Sequence, residues 1–286
     1  MENKGRLFLC GTPIGNLKDI TLRVLETLQE VDLVACEDTR QTLKLLTHFS
    51  ISKPVTSYFE HNKKYKGEKI VAELLAGKDV ALVSDAGMPG VSDPGQELVQ
   101  DCIERGIEVI VLPGPVAAIT GLVISGLSTE RFAFEGFIPR NNKEKQDFFQ
   151  RLVNEERTLI FYESPHRLLA TLEVMETFFG NRQMAACREL TKKFEEVVRG
   201  TISDVLKYFQ EKKVKGEFTL VVQGAGPKKE EKGMEWALEE VKRLTSLGVT
   251  PKDAVSEVAK CADISKRELY EEVMIKGKCK SKRVEQ

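Results

Sequence analysis

Residues 80–95 read Val-Ala-Leu-Val-Ser-Asp-Ala-Gly-Met-Pro-Gly-Val-Ser-Asp-Pro-Gly, and this stretch decides the fold. Val80, Ala81, Leu82 and Val83 form an apolar run without polar alternation, the pattern of a strand covered on both faces in a parallel sheet. Ser84 and Asp85 then fall at the strand's carboxyl end, the edge at which open α/β sheets bind ligands. Gly87, Gly90 and Gly95 are expected to let backbone approach a ligand, while Pro89 and Pro94 stiffen the loop before a helix that begins near Gln96. A loop this long in a compact domain is usually functional or disordered, and this one is too rigid for disorder.

The same unit recurs on the amino-terminal side. Residues 6–10 form a strand, Gly11-Thr-Pro-Ile-Gly-Asn16 a Gly/Pro loop, and Leu22, Leu25 and Leu28 mark a helix by their spacing. Residues 32–36 form the next strand, followed by Glu37-Asp-Thr-Arg40; Asp38 and Gln41 are spaced as the cap and third position of a helix through Leu43, Leu45 and Leu46. A capping box accounts for Asp38 but not for Glu37 or Arg40. Residues 54–58 are a short strand, His61 is read as a solvated loop histidine rather than a ligand contact, and the charged run 63–69 leads into a helix over 70–75. Residues 107–112 form a further buried strand that delivers Pro113-Gly-Pro115 ahead of a small-residue helix over 117–126. Three such loops after three strands specify a doubly wound domain whose loops converge on one edge. GTPIGN carries neither the GxxxxGK[ST] nor the GxGxxG spacing, so a nucleotide phosphate site is not expected there.

From Arg131 the pattern changes to short strands at 132–137, 158–162, 183–187, 195–200 and 217–222, separated only in part by helices, which describes a second α/β domain with a mixed sheet. Glu163-Ser-Pro-His-Arg167 ends the second of these strands. With Ser164 as N-cap and Pro165 at the first helical position, Glu163, His166 and Arg167 would stand on the first turn facing the cleft. Residues 138–140 with 141–145 read as a basic lip or as a solvated helix start. Residues 225–233 have linker composition, and 234 to the end is helical, with Trp236 as an anchor and segments at 238–247, 251–262 and 265–270 turning at Gly248 and Asp263. The expected domains are therefore 1–112, 113–224 and a helix-turn-helix-like module at 234–286. Lys276, Lys278, Lys280, Lys282 and Arg283 form the one strongly basic patch, which suits a polyanion or a solvated terminus.

Bulk composition bounds these readings. The 286 residues are 41% hydrophobic, enough for a sizeable core, and the formal net charge is −1, so nucleic acid could bind only through a local patch. Six cysteines are scattered without a CxxC pair, which fits a reducing cytoplasm and no zinc site. With neither a signal-peptide pattern nor a long apolar span, a cytoplasmic protein away from the membrane is expected.

The ordered motifs GTPIGN, CEDTR, SDAGMPGVSDPG, LPGPVAA and ESPHR closely resemble the tetrapyrrole-methylase superfamily, the class III S-adenosylmethionine-dependent methyltransferases, over residues 6–224. CEDTR and ESPHR are most similar to its ribosomal-RNA-modifying branch, whereas the porphyrinoid enzymes typically carry a GGDP-type loop in place of Ser84-Asp-Ala-Gly87. The resemblance implies two α/β domains plus a small C-terminal helical module. It also implies a homodimer, with S-adenosylmethionine bound between the α/β domains and a cytidine of the 16S rRNA decoding region, in the 30S subunit, methylated on its ribose 2′-oxygen. By the same resemblance the cofactor would contact Thr12 and Pro13; Ser84, Asp85, Ala86, Gly87 and Met88; Pro115, Val116 and Ala117; and Tyr162, Glu163, Ser164 and Thr219. A ribose hydroxyl is a poor nucleophile while protonated, so a base is expected, with Glu37, Asp38 and Glu163 as candidates at strand ends and Arg40, Arg140 and Arg167 as phosphate contacts. A C-methyltransferase acting on a tetrapyrrole or precorrin and a non-catalytic RNA-binding module are the alternatives.

Overall fold

The computed structural model describes residues 4–226, 233–262 and 264–281, with side chains as far as 274. The expected turn residue Asp263 and the basic residues Lys282 and Arg283 lie outside the described residues, as do the side chains of Lys276, Lys278 and Lys280.

The first sheet contains β1 (Arg6–Cys10), β2 (Leu33–Cys36), β3 (Val55–Ser57), β4 (Val80–Val83) and β5 (Glu108–Leu112), in the spatial order β3-β2-β4-β1-β5, with every pair parallel. All four residues of β4 are buried, as the unalternating run predicts. One face of the sheet is covered by α3 (Lys63–Leu75) and α4 (Gln96–Glu104) through Ile70, Leu74, Leu98 and Cys102. The other is covered by α1 (Leu22–Glu30) and α2 (Thr39–His48) through Val24, Leu28 and Leu46. Helix α1 starts where the Thr21 hydroxyl accepts the Val24 N–H at 3.1 Å, and α2 where the Asp38 carboxylate accepts the Arg40 N–H at 2.8 Å.

Helix α3 begins at Lys63, earlier than the expected residue 70. Asn62 precedes it and accepts the Phe59 N–H at 2.8 Å, and Lys63 pairs with Glu60 and Glu97. The charged run concealed a helical stripe of Gly67, Ile70, Val71 and Leu74, all buried.

Helix α5 (Ala117–Ser125) leads to the second sheet and packs on it. That sheet comprises β6 (Phe132–Phe137), β7 (Thr158–Glu163), β8 (Gln183–Arg188), β9 (Glu196–Thr201) and β10 (Phe218–Val222), in the order β6-β7-β10-β8-β9. Only β6 and β7 are parallel, so the sheet is mixed as expected. Helices α6 (Asn142–Leu152), α7 (Leu168–Phe179) and α8 (Ile202–Gln210) close over a core around Phe149, Phe161, Leu172 and Phe209.

Two local expectations are corrected here. Helix α7 starts at Leu168 with Arg167 as its N-cap, so Ser164 is not the cap; Ser164 instead opens a turn in which its carbonyl accepts the Arg167 N–H at 3.2 Å. Lys145 is no part of a basic lip, because it is 3% exposed and donates to the Thr171 hydroxyl. Its position on the inner face of α6 carries it into the core beside α7.

Residues 1–225 form one compact unit and residues 226–286 another. The second unit is three helices, α9 (Met234–Ser246), α10 (Pro251–Ala262) and α11 (Lys266–Ser281), around a core that includes Leu238, Val241, Val255, Val258 and Leu269, with Trp236 packed against it. Among the described residues no helix is long and apolar enough to cross a membrane.

Candidate active site

The three Gly/Pro loops are fastened to one another. Thr12 and Gly87 form an antiparallel bridge between the loops after β1 and β4, and the Thr12 hydroxyl also donates to the Ser84 carbonyl at 3.1 Å. A Cβ on Gly11 would lie 2.7 Å from the Cα of Gly114, and one on Gly114 2.8 Å from the Cα of Gly11. Absence of a side chain at these two positions therefore serves loop-against-loop packing. At Gly87 the requirement is a φ of +86°, since a Cβ there would meet only ordinary contacts at 3.5 Å.

Beside this junction lies a cavity of about 340 Å³, within the size range of small-molecule sites. From the first sheet it is lined by Asp85, Ala86, Gly87 and Met88, and by Val91 to Asp93 of the same loop. Val116 and Ala117 contribute from the start of α5, and Tyr162, Glu163, Ser164 and Thr219 from the second sheet. Thr12, Pro13 and Ser84 face an adjoining hollow that shares Ile14, Asp85, Ala86, Lys192 and Glu217 with the first. Pro115 lines neither, and its carbonyl stands behind Gly87.

The walls join apolar surface to a few fixed polar groups. Met88, Val91, Val116, Leu190 and Phe218 supply the first, and Tyr162 is stacked edge-on with Phe134 and Phe137, ring centroids 4.9 and 5.4 Å away. No side chain caps α5, whose first-turn Ala118 N–H donates to the Tyr162 hydroxyl at 3.1 Å. Apolar walls with a few fixed polar groups are the usual lining of a small-molecule site.

The carboxylates differ sharply in their commitments. Glu163 has no exposed side-chain surface; it accepts the Ser164 N–H and the Thr171 hydroxyl, each at 2.7 Å, and pairs with Arg167. Arg167 in turn donates to the Ile138 carbonyl at 2.9 Å and to the Ser164 hydroxyl at 3.2 Å, so both residues brace the turn after β7. Neither Arg167 nor the exposed His166 lines the cavity, contrary to the first-turn expectation. Asp38 is held by Arg40, whose guanidinium and N–H keep its carboxyl down at about 2. Asp85 accepts the Asp38 N–H at 3.1 Å, tying the second loop to the start of α2. Burial, then Asp85 and Asp38, push the Glu37 carboxyl above its usual range, yet Glu37 lines neither hollow.

Asp93 was not singled out from the sequence, although it lies within the deciding stretch. It lines the cavity beside Ser84, and burial, followed by Glu37 and Asp85, raises its carboxyl to about 6. Lys192 was also missed: it pairs with Glu189 at 2.9 Å and Glu217 at 2.8 Å where the two hollows meet. Its spacing from Glu189 gives no sign of the cavity, because the second partner, Glu217, comes from a different segment. Cys187 lines the cavity but burial pushes its thiol up to about 12, so it offers no thiolate. Of the expected phosphate contacts, Arg140 is exposed and Arg40 is 84% exposed while paired with Asp38.

Residues 6–206 match the family described as Tetrapyrrole (Corrin/Porphyrin) Methylases. The chain belongs to the tetrapyrrole methylase family. It is a methyltransferase whose methyl donor is S-adenosylmethionine, as the motif order implied. The methylase is 47% identical to Ribosomal RNA small subunit methyltransferase I of Halalkalibacterium halodurans, over 94% of each chain. It is 46% identical to the Thermotoga maritima protein of the same name, with 77% of this chain covering 99% of that one. Among solved structures, uroporphyrin-III-C-methyltransferase from Thermus thermophilus superposes with a TM-score of 0.54 at 21% identity, over 77% of this chain and 94% of the other, a likeness of fold alone.

Proposed function

We propose that this methyltransferase modifies the ribose 2′-oxygen of a cytidine in the decoding region of 16S rRNA. The observation that carries the reading is the 47% identity, over 94% of each chain, with a relative named for the small-subunit ribosomal RNA. The likeness to the uroporphyrin enzyme, at 21%, is far weaker. CEDTR and ESPHR support the same branch, and the Arg40 and Arg140 guanidiniums are exposed for phosphate contact.

The donor supplies an electrophilic methyl group on a sulfonium. The chain's own contribution is to fix that group and a ribose hydroxyl in line, which can account for much of the barrier. The bridged loops after β1 and β4 and the start of α5 would hold the donor, and the Glu163–Arg167 brace would fix the wall that carries Tyr162 and Ser164. The protein is expected to act as a homodimer in the cytoplasm. Val111 on β5, Val123 on α5 and Ile103 on α4 leave exposed apolar surface for such an assembly.

The deciding experiment incubates the protein with methyl-labelled adenosylmethionine and either 30S subunits or a porphyrinogen. Label in 16S rRNA, at a nucleotide that resists alkaline cleavage, supports the reading; label only in the porphyrinogen, or in neither, sinks it.

A further inference from the structure

We infer that Asp93 is the general base that takes the proton from the ribose hydroxyl as the methyl group is transferred. The inference rests on the reading of the protein as a ribose methyltransferase, and four observations carry it.

The first is elimination among the carboxylates that line the cavity. Glu163 accepts three donors and has no exposed surface. Glu217 is paired with Lys192, and Asp85 accepts the Asp38 N–H. Asp38 and Glu37 do not line it. The second is position. Asp93 is half-buried and lines the cavity beside the buried Ser84, together with Val91 and Phe137, which are 44% and 59% exposed. The Ser92 hydroxyl is 3.5 Å from where a Cβ on Gly136 would sit, so this segment abuts β6. Half-buried in the lining, Asp93 keeps surface within reach of a ribose that enters the cavity. The third is backbone. Ser92 holds a φ of +61°, rare for a residue with a side chain, and Pro94 follows on the other side. The chain is thereby turned so that Asp93 joins the lining. The fourth is proton affinity. Burial, then Glu37 after β2 and Asp85 after β4, favour the protonated form, against the Ser84 hydroxyl, and Tyr162 of β7 adds no charge near neutral pH. A carboxyl near 6 is ionised at neutral pH while remaining a far better proton acceptor than an ordinary aspartate.

The step balances without a further reactant. The ribose oxygen forms a bond to the methyl carbon, the carbon–sulfur bond breaks with its electron pair left on sulfur, and the hydroxyl proton passes to the Asp93 carboxylate and then to water.

The test is Asp93→Asn, assayed by single turnover on 30S subunits at saturating donor, with donor affinity measured by calorimetry and 30S affinity by filter binding. The expected result is a rate lower by about 100-fold, with both affinities within about twofold of wild type. The wild-type rate should rise with pH and level off above about 6, and the variant should lose that limb. The carboxyl carbon resonance of Asp93, followed by NMR in the absence of RNA, should titrate in the same range. An unchanged rate, a pH limb that survives the substitution, or a tenfold loss of donor affinity each overturns the assignment, the last by making Asp93 a donor ligand. If the wild type labels no RNA, the proposed function fails together with this inference; if the wild type labels RNA and the variant does so equally, only this inference fails.

Discussion

Thr12 and Gly87 exchange two backbone hydrogen bonds, Thr12 N–H to the Gly87 carbonyl at 2.8 Å and Gly87 N–H to the Thr12 carbonyl at 3.1 Å. This joins loops that are far apart in sequence, and it requires the left-handed φ of +86° at Gly87. Gly87→Val should therefore strain the bridge by about 1–2 kcal/mol and reduce donor affinity at least tenfold. Thermal melting with and without adenosylmethionine measures both; an unshifted melting temperature would remove the bridge from the account.

Asp85→Ala removes the acceptor of the Asp38 N–H and one of the two negative charges that raise the Asp93 carboxyl. Donor affinity should fall, by about tenfold if the loop loosens at the cost of one charge-assisted hydrogen bond. The acid limb of the rate profile should also move to lower pH. Calorimetry and a pH series read the two effects separately.

Arg167→Ala leaves Glu163 buried without its ion partner, and such a loss typically costs about 3–5 kcal/mol. Because the Arg167 side chain is 22% exposed, the lower end is expected. Glu163→Gln combined with Arg167→Ala should recover part of that loss. Urea denaturation of both single variants and the double variant gives the coupling, which would be near zero if the pair were only a surface contact.

Asp93→Asn should stabilise the fold at neutral pH. The folded-state carboxyl lies near 6, above the ordinary aspartate range, so the folded protein holds the proton more tightly than the unfolded chain. Stability contributed by that proton is present below about pH 4 and is lost as pH rises through about 6. Asparagine does not undergo this loss. A full shift of that size corresponds to about 3 kcal/mol, and with the group still in contact with solvent about 1 kcal/mol is expected above pH 7. Melting temperatures of the two proteins should converge at pH 4 and separate at pH 8; separation of the opposite sign would contradict the raised proton affinity.

Removing residues 234–286 should spare donor binding and weaken RNA binding. The removed helices have their own core, and the cavity is lined wholly by residues before 225. The Thermotoga maritima relative, matched over 99% of its length by 77% of this chain, shows that a bearer of that name can lack a counterpart to the remainder. If Lys276 to Arg283 contact phosphates, the truncated protein should show a shallower salt dependence of RNA affinity. An unchanged slope would identify the tail as a solvated terminus.

What could be read from sequence was the part governed by local rules. Val80 to Val83 announced a fully covered strand, and Gly/Pro loops after three strands announced a shared edge, because backbone preferences repeat within a few residues. Illegible was anything decided by partners from distant segments. Arg167 looked like a cation facing a cleft, yet the distant Ile138 carbonyl, together with the nearby Glu163, holds it as a brace. Lys145 looked solvated in a charged run, yet α6 turns it onto Thr171. Asp93 looked like one more polar loop residue, because its altered proton affinity depends first on burial in the folded chain and then on Glu37, which comes from the loop after β2, and on Asp85 of its own loop.

The placement of β1 between β4 and β5 carries a consequence for synthesis. Its residues Leu7 to Cys10 find partners only at Val80 to Val83 and at Val109 to Leu112. Earliest of the strands of its sheet to be made, β1 thus cannot be fully seated until the chain beyond Leu112 has emerged, and its long-range pairing makes closure of this sheet slow relative to formation of the helices between. During that interval the apolar Leu7-Phe-Leu-Cys segment lacks a sheet neighbour on at least one side, so a nascent-chain chaperone that captures short apolar stretches would find a target there.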